Sequence, residues 1–390
     1  MFLIKLILPL IISANIFASP FDWLEDNVQS VYDSFSRFAV ASPRNQSEVV
    51  LEATSMKVIS ESHSDEIFPA GHFAKLMTLL VTAEYIEEGD ISIEDIVVTS
   101  KYANSMQGTQ IWLDIGEKIT VRELIKAITI GNANDACVAL AEAVAESEKA
   151  FVERMNVRAS KLGMESTYFA DCTGISDATT TSAYDIAVLT AELSKHEWLF
   201  EYTTTWMDNV RNGKTELVNN NTLVRSYNGI IGFKAFSSEN VFYLSAAAKR
   251  NDMTVVYVKT FEADKDILFS RAKEAMNSAF SAFELYTPEY DDEILSDCSV
   301  NCGEKLTCKV QAKNDAVLLI PKWRSSDVEI SYQRVDLIPA PVKKGTVIGD
   351  ISVKLGDETI FSTQIVTSES VNKLSLLEMY RRLLLELLNI

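Results

Sequence analysis

Histidine is scarce in this 390-residue chain. There are three, His63, His72 and His196, and none stands in a pattern of Cys or carboxylate residues spaced to hold a metal. Glycine (14) and proline (8) are too few for a collagen-like, low-complexity or disordered chain. Basic residues are outnumbered, 36 Lys and Arg against 55 Asp and Glu, and the formal charge is −19. With no run of Lys and Arg to offset that charge, the chain repels phosphate backbones and is not a nucleic-acid binder. No apolar run approaches the ~20 residues that a spanning helix needs. Cysteine is limited to five: Cys137 and Cys172 are dispersed, while Cys298, Cys302 and Cys308 share one segment. That excludes a disulfide-dense miniprotein, and three cysteines without a nearby histidine make a poor zinc site.

What remains is ordinary globular material, 47% hydrophobic and 23% charged, long enough for two or three domains. Residues 1–18 read as a secretory signal: Lys5 supplies the positive charge, Leu6 to Ile12 form a short apolar block, and Ala18 is a fitting last residue before cleavage. An uncleaved anchor is the other reading, but the block is too short to span. In an exported chain a pair from the cysteine cluster can oxidise, and the odd total leaves at least one free thiol or an intermolecular bond.

Apolar spacing predicts an exposed amphipathic helix over 21–38, a β-branched run over 49–60 and a loop at Ile67-Phe68-Pro69. Helices follow over 75–88, ended by Gly89, over 121–144 with a break near Gly131, over 151–162, stopped at Gly163, and over 182–194, capped by Ser182 or Thr181. Strands are expected over 241–249 and 253–260, joined by a turn at Arg250-Asn251-Asp252, then a helix over 267–285 and an acidic linker over 288–292. Beyond it, short strands over 306–310, 317–321, 328–332, 347–355 and 360–366 spell a small all-β domain. Residues 370–390 form an amphipathic segment in which Leu376, Leu377, Tyr380, Leu383, Leu384, Leu387 and Leu388 share a face, with Arg381-Arg382 opposing a membrane span. Such a helix either docks on its own protein or lies on a membrane surface. The second is preferred, because the β domain before it reads as complete.

Three segments carry the chemistry: Pro69-Ala70-Gly71-His72-Phe73-Ala74-Lys75-Leu76-Met77-Thr78, Gly131-Asn132-Ala133-Asn134-Asp135-Ala136-Cys137, and Gly229-Ile230-Ile231-Gly232-Phe233-Lys234-Ala235-Phe236. In this order they resemble the S-x-x-K, S-x-N and K-T-G segments of the D-alanyl-D-alanine carboxypeptidases, the low-molecular-mass penicillin-binding proteins. The likeness extends to residues 110–120, 173–187 and 336–345 and to the amphipathic tail. It implies an α/β (α+β) penicillin-binding/β-lactamase-like domain over 45–287, a sheet flanked by helices. It further implies a β-rich domain over 288–369 and a membrane-surface helix over 370–390, after the signal at 1–18 and a helical lead at 19–44. No cofactor or metal is implied. The implied ligand is the peptidoglycan stem peptide, and the implied location is periplasmic, at the membrane surface.

All three motifs depart from the family pattern. His72 stands where the family has its nucleophilic serine, three residues before Lys75; Asn132 replaces the serine of S-x-N while Asn134 is kept; Ala235 and Phe236 replace the Thr and Gly after Lys234. In the family the serine attacks the carbonyl between two D-alanines, the lysine takes its proton, the second serine relays protons, and the K-T-G strand holds the substrate carboxylate. Without the hydroxyl no acyl ester forms there, and binding groups alone retain only ~10³–10⁴ over water. Acyl-imidazole chemistry at His72 is labile, and general-base use of His72 needs a positioned water. Taken one at a time, Lys75 and Lys234 are readable as solvated charges and Asn134 as a backbone bridge; as a matched set they read as a remnant cleft. Ser270-Arg271-Ala272-Lys273 and Ser238-Glu239-Asn240 also spell S-x-x-K and S-x-N, but in the wrong order and context.

Three readings follow. The expected one is an exported homologue without carboxypeptidase activity, binding stem peptides or a partner, or regulating at the envelope. The others are an active D,D-carboxypeptidase with an unusual nucleophile, and a structural envelope protein whose cleft Phe236 closes.

Overall fold

The computed structural model describes residues 46–387. The expected signal at 1–18 and helical lead at 19–44 lie outside the described residues. Asp65–Ile128 and Asn132–Asp185 gather into one compact unit; Ser47–Ser64, Thr129–Gly131 and the chain from Ile186 onward form the other.

The first unit is helical. Helix α1 (Ala74–Glu88) is its centre, and every residue from Ala74 to Ala83 is buried, Lys75 included. Because it is covered all round, it has no polar face over that length, and its sequence reads as buried helix rather than as an amphipathic one. Gly89 in the left-handed region ends it. Helices α2 (Asn134–Ala145) and α3 (Glu148–Lys161) pack beside it, and the Ser147 hydroxyl caps α3 by accepting from the Ala150 N–H. The expected loop at Ile67-Phe68-Pro69 is instead partly a strand: Phe68–Pro69 pairs antiparallel with Thr180–Thr181. Pro69 is tolerated there because the ladder is only two residues long and asks for few donors.

The second unit holds a five-stranded antiparallel sheet. Its strands are β1 (Glu48–Glu52), β2 (Lys57–Ser62), β3 (Ile230–Ser238), β4 (Val241–Arg250) and β5 (Met253–Glu262), in the order β2-β1-β5-β4-β3. The N-terminal hairpin thus docks beside strands some two hundred residues later, and β3 lies at an edge. Helix α4 (Lys265–Ala282) covers one face, where Leu268, Phe269, Ala272 and Met276 meet Leu244, Ala246, Val255 and Tyr257. This helix stops before the expected residue 285. Phe283–Tyr286 is extended and pairs with Leu318–Pro321, trading helical bonds for ladder bonds.

The β-rich region contains a four-stranded sheet of Val310–Ala312, Glu358–Thr367, Val347–Leu355 and Val328–Arg334, and a three-stranded one of Thr307–Cys308, Cys298–Asn301 and Leu337–Pro339. Cys298 and Cys308 face each other across the latter as free thiols. The terminal helix α5 (Leu376–Leu387) begins later than residue 370. Val371 is committed to a small core with Val300 and Val342, and the chain there bridges to Val342 and Gly303. Only after Ser375, whose hydroxyl accepts from the Glu378 N–H, is the backbone released into a helix. Among the described residues, no helix is long and apolar enough to cross a membrane.

Candidate active-site positions

In the helical unit, His72 occupies a single 3-10 turn, Gly71–Phe73, that leads into α1, and is half-buried. Lys75 sits one turn on and is fully buried. Its Nζ donates to the Thr173 carbonyl at 2.6 Å, while the Thr78 hydroxyl, on the same helix face, donates to the Cys172 carbonyl at 2.7 Å. The reading of Lys75 as a solvated charge is therefore incorrect. Burial pulls its ammonium below the ordinary lysine range, opposed in part by Cys137, Cys172 and Asp171.

The turn that receives Lys75 is organised by Asp171. Its carboxylate accepts from the backbone N–H groups of Thr173, Gly174 and Ser176 and from the Thr179 hydroxyl. Gly174, at φ +79°, lies so close to the first motif that a Cβ there would stand 1.7 Å from the Gly71 carbonyl oxygen. Only glycine permits that approach. Sequence reasoning missed that residues 171–174 supply the partner of Lys75. The Asp-x-x-Gly spacing signals the turn; nothing in it signals the lysine.

Asn132 is buried and adopts φ +57°, a conformation Asn tolerates better than most residues. Asn134 is also buried at the start of α2, and its Nδ2 donates to the Gln107 carbonyl at 2.6 Å while its backbone N–H donates to the Thr109 carbonyl. It bridges two backbone segments, holding the preceding loop to the helix. Asp135, fully buried beside it, accepts from the N–H groups of Ile111 and Leu113.

In the sheet unit, Lys234, Ala235 and Phe236 lie on edge strand β3. Lys234 is buried, again not a surface charge, and its Nζ reaches the Thr129 carbonyl at 3.4 Å. Alternation along the strand sends Ala235 the other way, into the apolar layer under α4. Phe236 stacks on its cross-strand partner Tyr243, with ring centroids 4.6 Å apart and 5° between planes, and Tyr243 meets Phe261 edge-on at 5.1 Å. A register shift precedes the motif, at Ile230 and Gly232 opposite Ala248 and Ala247. Gly232 has φ +108°, and a Cβ there would lie 2.4 Å from the Thr203 carbonyl oxygen, so this bulge also requires glycine. Ser270 of the first decoy is an exposed residue of α4, and the second decoy is the turn between β3 and β4.

The mixed α/β fold followed by a β-rich C-terminal region is that of the penicillin-binding proteins. The profile of the D-alanyl-D-alanine carboxypeptidase family matches residues 36–264, and that of the penicillin-binding protein 5 C-terminal domain matches residues 283–373. The D-alanyl-D-alanine carboxypeptidase DacF of Bacillus subtilis (strain 168) is 31% identical over 343 residues, 86% of this chain and 88% of that protein. The D-alanyl-D-alanine carboxypeptidase DacC of Escherichia coli (strain K12) is 28% identical over 335 residues, 83% of this chain and 84% of that protein. Penicillin-binding protein 5 from Haemophilus influenzae has the same fold, with a TM-score of 0.76 at 24% identity, covering 85% of this chain and 100% of that one. Penicillin-binding protein 6B from Escherichia coli aligns with a TM-score of 0.69 at 21% identity over 85% of this chain and 98% of that one. The chain belongs to the D-alanyl-D-alanine carboxypeptidase family.

Proposed function

We propose that this family member forms no acyl-enzyme and acts by binding stem peptides at the cell envelope, as a binding or regulatory protein. One observation carries the reading. The position one turn before Lys75 is an imidazole, and among the described residues the Lys75 amine hydrogen-bonds a carbonyl rather than a hydroxyl. A carbonyl oxygen has no proton to yield, so Lys75 has no alcohol there to activate. Asn132 cannot relay a proton as a hydroxyl does, and the Ala235 methyl cannot hydrogen-bond a carboxylate. Export and a periplasmic location rest on the pattern of residues 1–18. Attachment to a membrane surface rests on α5, where Leu376 and Leu377 are 84% and 83% exposed beside Tyr380 and Leu383, with Arg381 and Arg382 on the same helix.

Incubation with a fluorescent penicillin followed by denaturation tests the missing nucleophile. No covalent band is expected, and a band that survives denaturation refutes the reading. His72→Ser alone is expected to leave acylation undetectable, because Asn132, Ala235 and Phe236 remain. Titration with peptides ending in D-alanyl-D-alanine tests the binding role. Lack of saturable binding at about 1 mM peptide, a free energy of only about −4 kcal/mol, would favour the purely structural role instead.

A further inference from the structure

We infer that the loop of residues 104–114 carries a saccharide-binding subsite centred on Trp112. The indole is 70% exposed, yet it stands between Ile111 and Leu113, which are both buried. The N–H groups of those two neighbours donate to the carboxylate of buried Asp135 at 3.1 and 3.0 Å, and Asn104 Nδ2 donates to the Leu113 carbonyl at 2.7 Å. Trp112 itself adopts φ +61°, which costs a bulky residue on the order of 1–3 kcal/mol. The chain is thus braced on both sides of a strained residue, and the outcome is that the largest apolar side chain of the loop is held in water. Packing alone would turn it inward.

Beside the indole lies an open cavity of about 510 Å³, lined by Asn104, Gln107, Gln110 and Asp114. The Nδ2 of Asn104 and the Nε2 groups of Gln107 and Gln110 already donate to loop carbonyls. The amide oxygens and the Asp114 carboxylate make the rim one of acceptors. A flat apolar platform with an acceptor rim matches a pyranose ring, which offers a face of C–H bonds to stack and hydroxyls around its edge to donate. An apolar peptide would leave the amide oxygens of Asn104, Gln107 and Gln110 facing no donor, and an anion would meet both the Asp114 side chain and a chain of charge −19. The subsite goes beyond the stem-peptide reading, since it takes a sugar chain that carries no peptide.

The test is calorimetric titration of the purified full chain with the peptide-free β-1,4-linked tetramer of N-acetylglucosamine, together with Trp fluorescence. Saturable binding with a blue shift of the indole emission is expected. Trp112→Ala is expected to weaken binding at least about tenfold. Trp112→Gly, which also relieves the positive φ, should weaken it equally while leaving the urea midpoint unchanged or raised. Asp135→Asn, which loosens the braces, should weaken it less. Trp323→Ala removes an indole 71% exposed in the β-rich region and should change nothing. Failure of the unmodified protein to bind at about 10 mM tetramer, or equal affinity in the Trp112 variants, overturns the subsite. Either result leaves the stem-peptide proposal standing, because no arm contains a peptide.

Discussion

Lys75 and Lys234 are both buried lysines that hydrogen-bond a carbonyl, but they are held by different means. Lys75 is placed by a helix that is covered on every side and by a turn that Asp171 closes and Gly174 brings within contact. Its surroundings are polar and specific. Lys234 is placed by an edge strand, and two residues on, the same face is occupied by the stacked rings of Phe236 and Tyr243. In the first region a buried amine and its carbonyl partner stand one turn after an imidazole. In the second, apolar ring packing takes over along the same strand. A buried lysine can thus be kept in place by a specific polar turn or by packing along an edge strand, and either arrangement also helps to hold the core of its unit together.

Four substitutions break or sharpen this contrast. The largest effect is expected from Gly174→Ala, which drives a Cβ onto the Gly71 carbonyl at 1.7 Å and should cost more than about 4 kcal/mol or prevent folding. Gly232→Ala, at 2.4 Å from the Thr203 carbonyl, should be severe but milder. Urea denaturation of the two ranks them, and the opposite order would mean that the bulge, not the turn, is the tighter constraint. Phe236→Ala should lose about 3 kcal/mol as a stacked, buried ring is removed. A loss below about 1 kcal/mol would show that the aromatic stack is incidental to the strand.

The smallest effect is expected from Lys75→Met, and it is distinguished by pH. The folded state titrates Lys75 below the ordinary lysine value of 10.5, so the unfolded chain binds more protons in the window between the two. The charge therefore destabilises in full below the folded pKa, and the penalty fades as pH rises through that window towards 10.5. Lys75→Met should be as stable as the unmodified protein or more so near pH 7, and its advantage should shrink on approach to pH 10. A constant offset across that range contradicts a buried, desolvated ammonium at this position.

Much of the scaffold was legible in the chain. Gly89 and Gly163 mark the ends of helices, the break near Gly131 falls between Val121–Thr129 and α2, and Val347–Leu355 is a strand over the residues that alternation assigned. These features are local, set by the period of apolar residues and by the φ that glycine allows. The misplacements share a cause. Phe68–Pro69, Phe283–Tyr286 and the residues around Val371 owe their extended shape to partners at Thr180–Thr181, Leu318–Pro321 and Val342, far along the chain. Strand pairing at such separations leaves no trace in a local period. The site shows the same division: His72, Lys75, Asn134 and Lys234 were recognisable as positions, but the Thr173 carbonyl, the Asp135 braces and the Tyr243 ring were not.

By itself the sequence determined the family likeness, the loss of an alcohol at residue 72 and the amphipathic tail, because each is a matter of residue identity or short spacing. Only the tertiary structure decided that both lysines are buried, that Ala235 belongs to the core beneath α4, and that Trp112 is held out in water. Burial and backbone hydrogen bonds join residues from separate parts of the chain, and they exist only once those parts have packed.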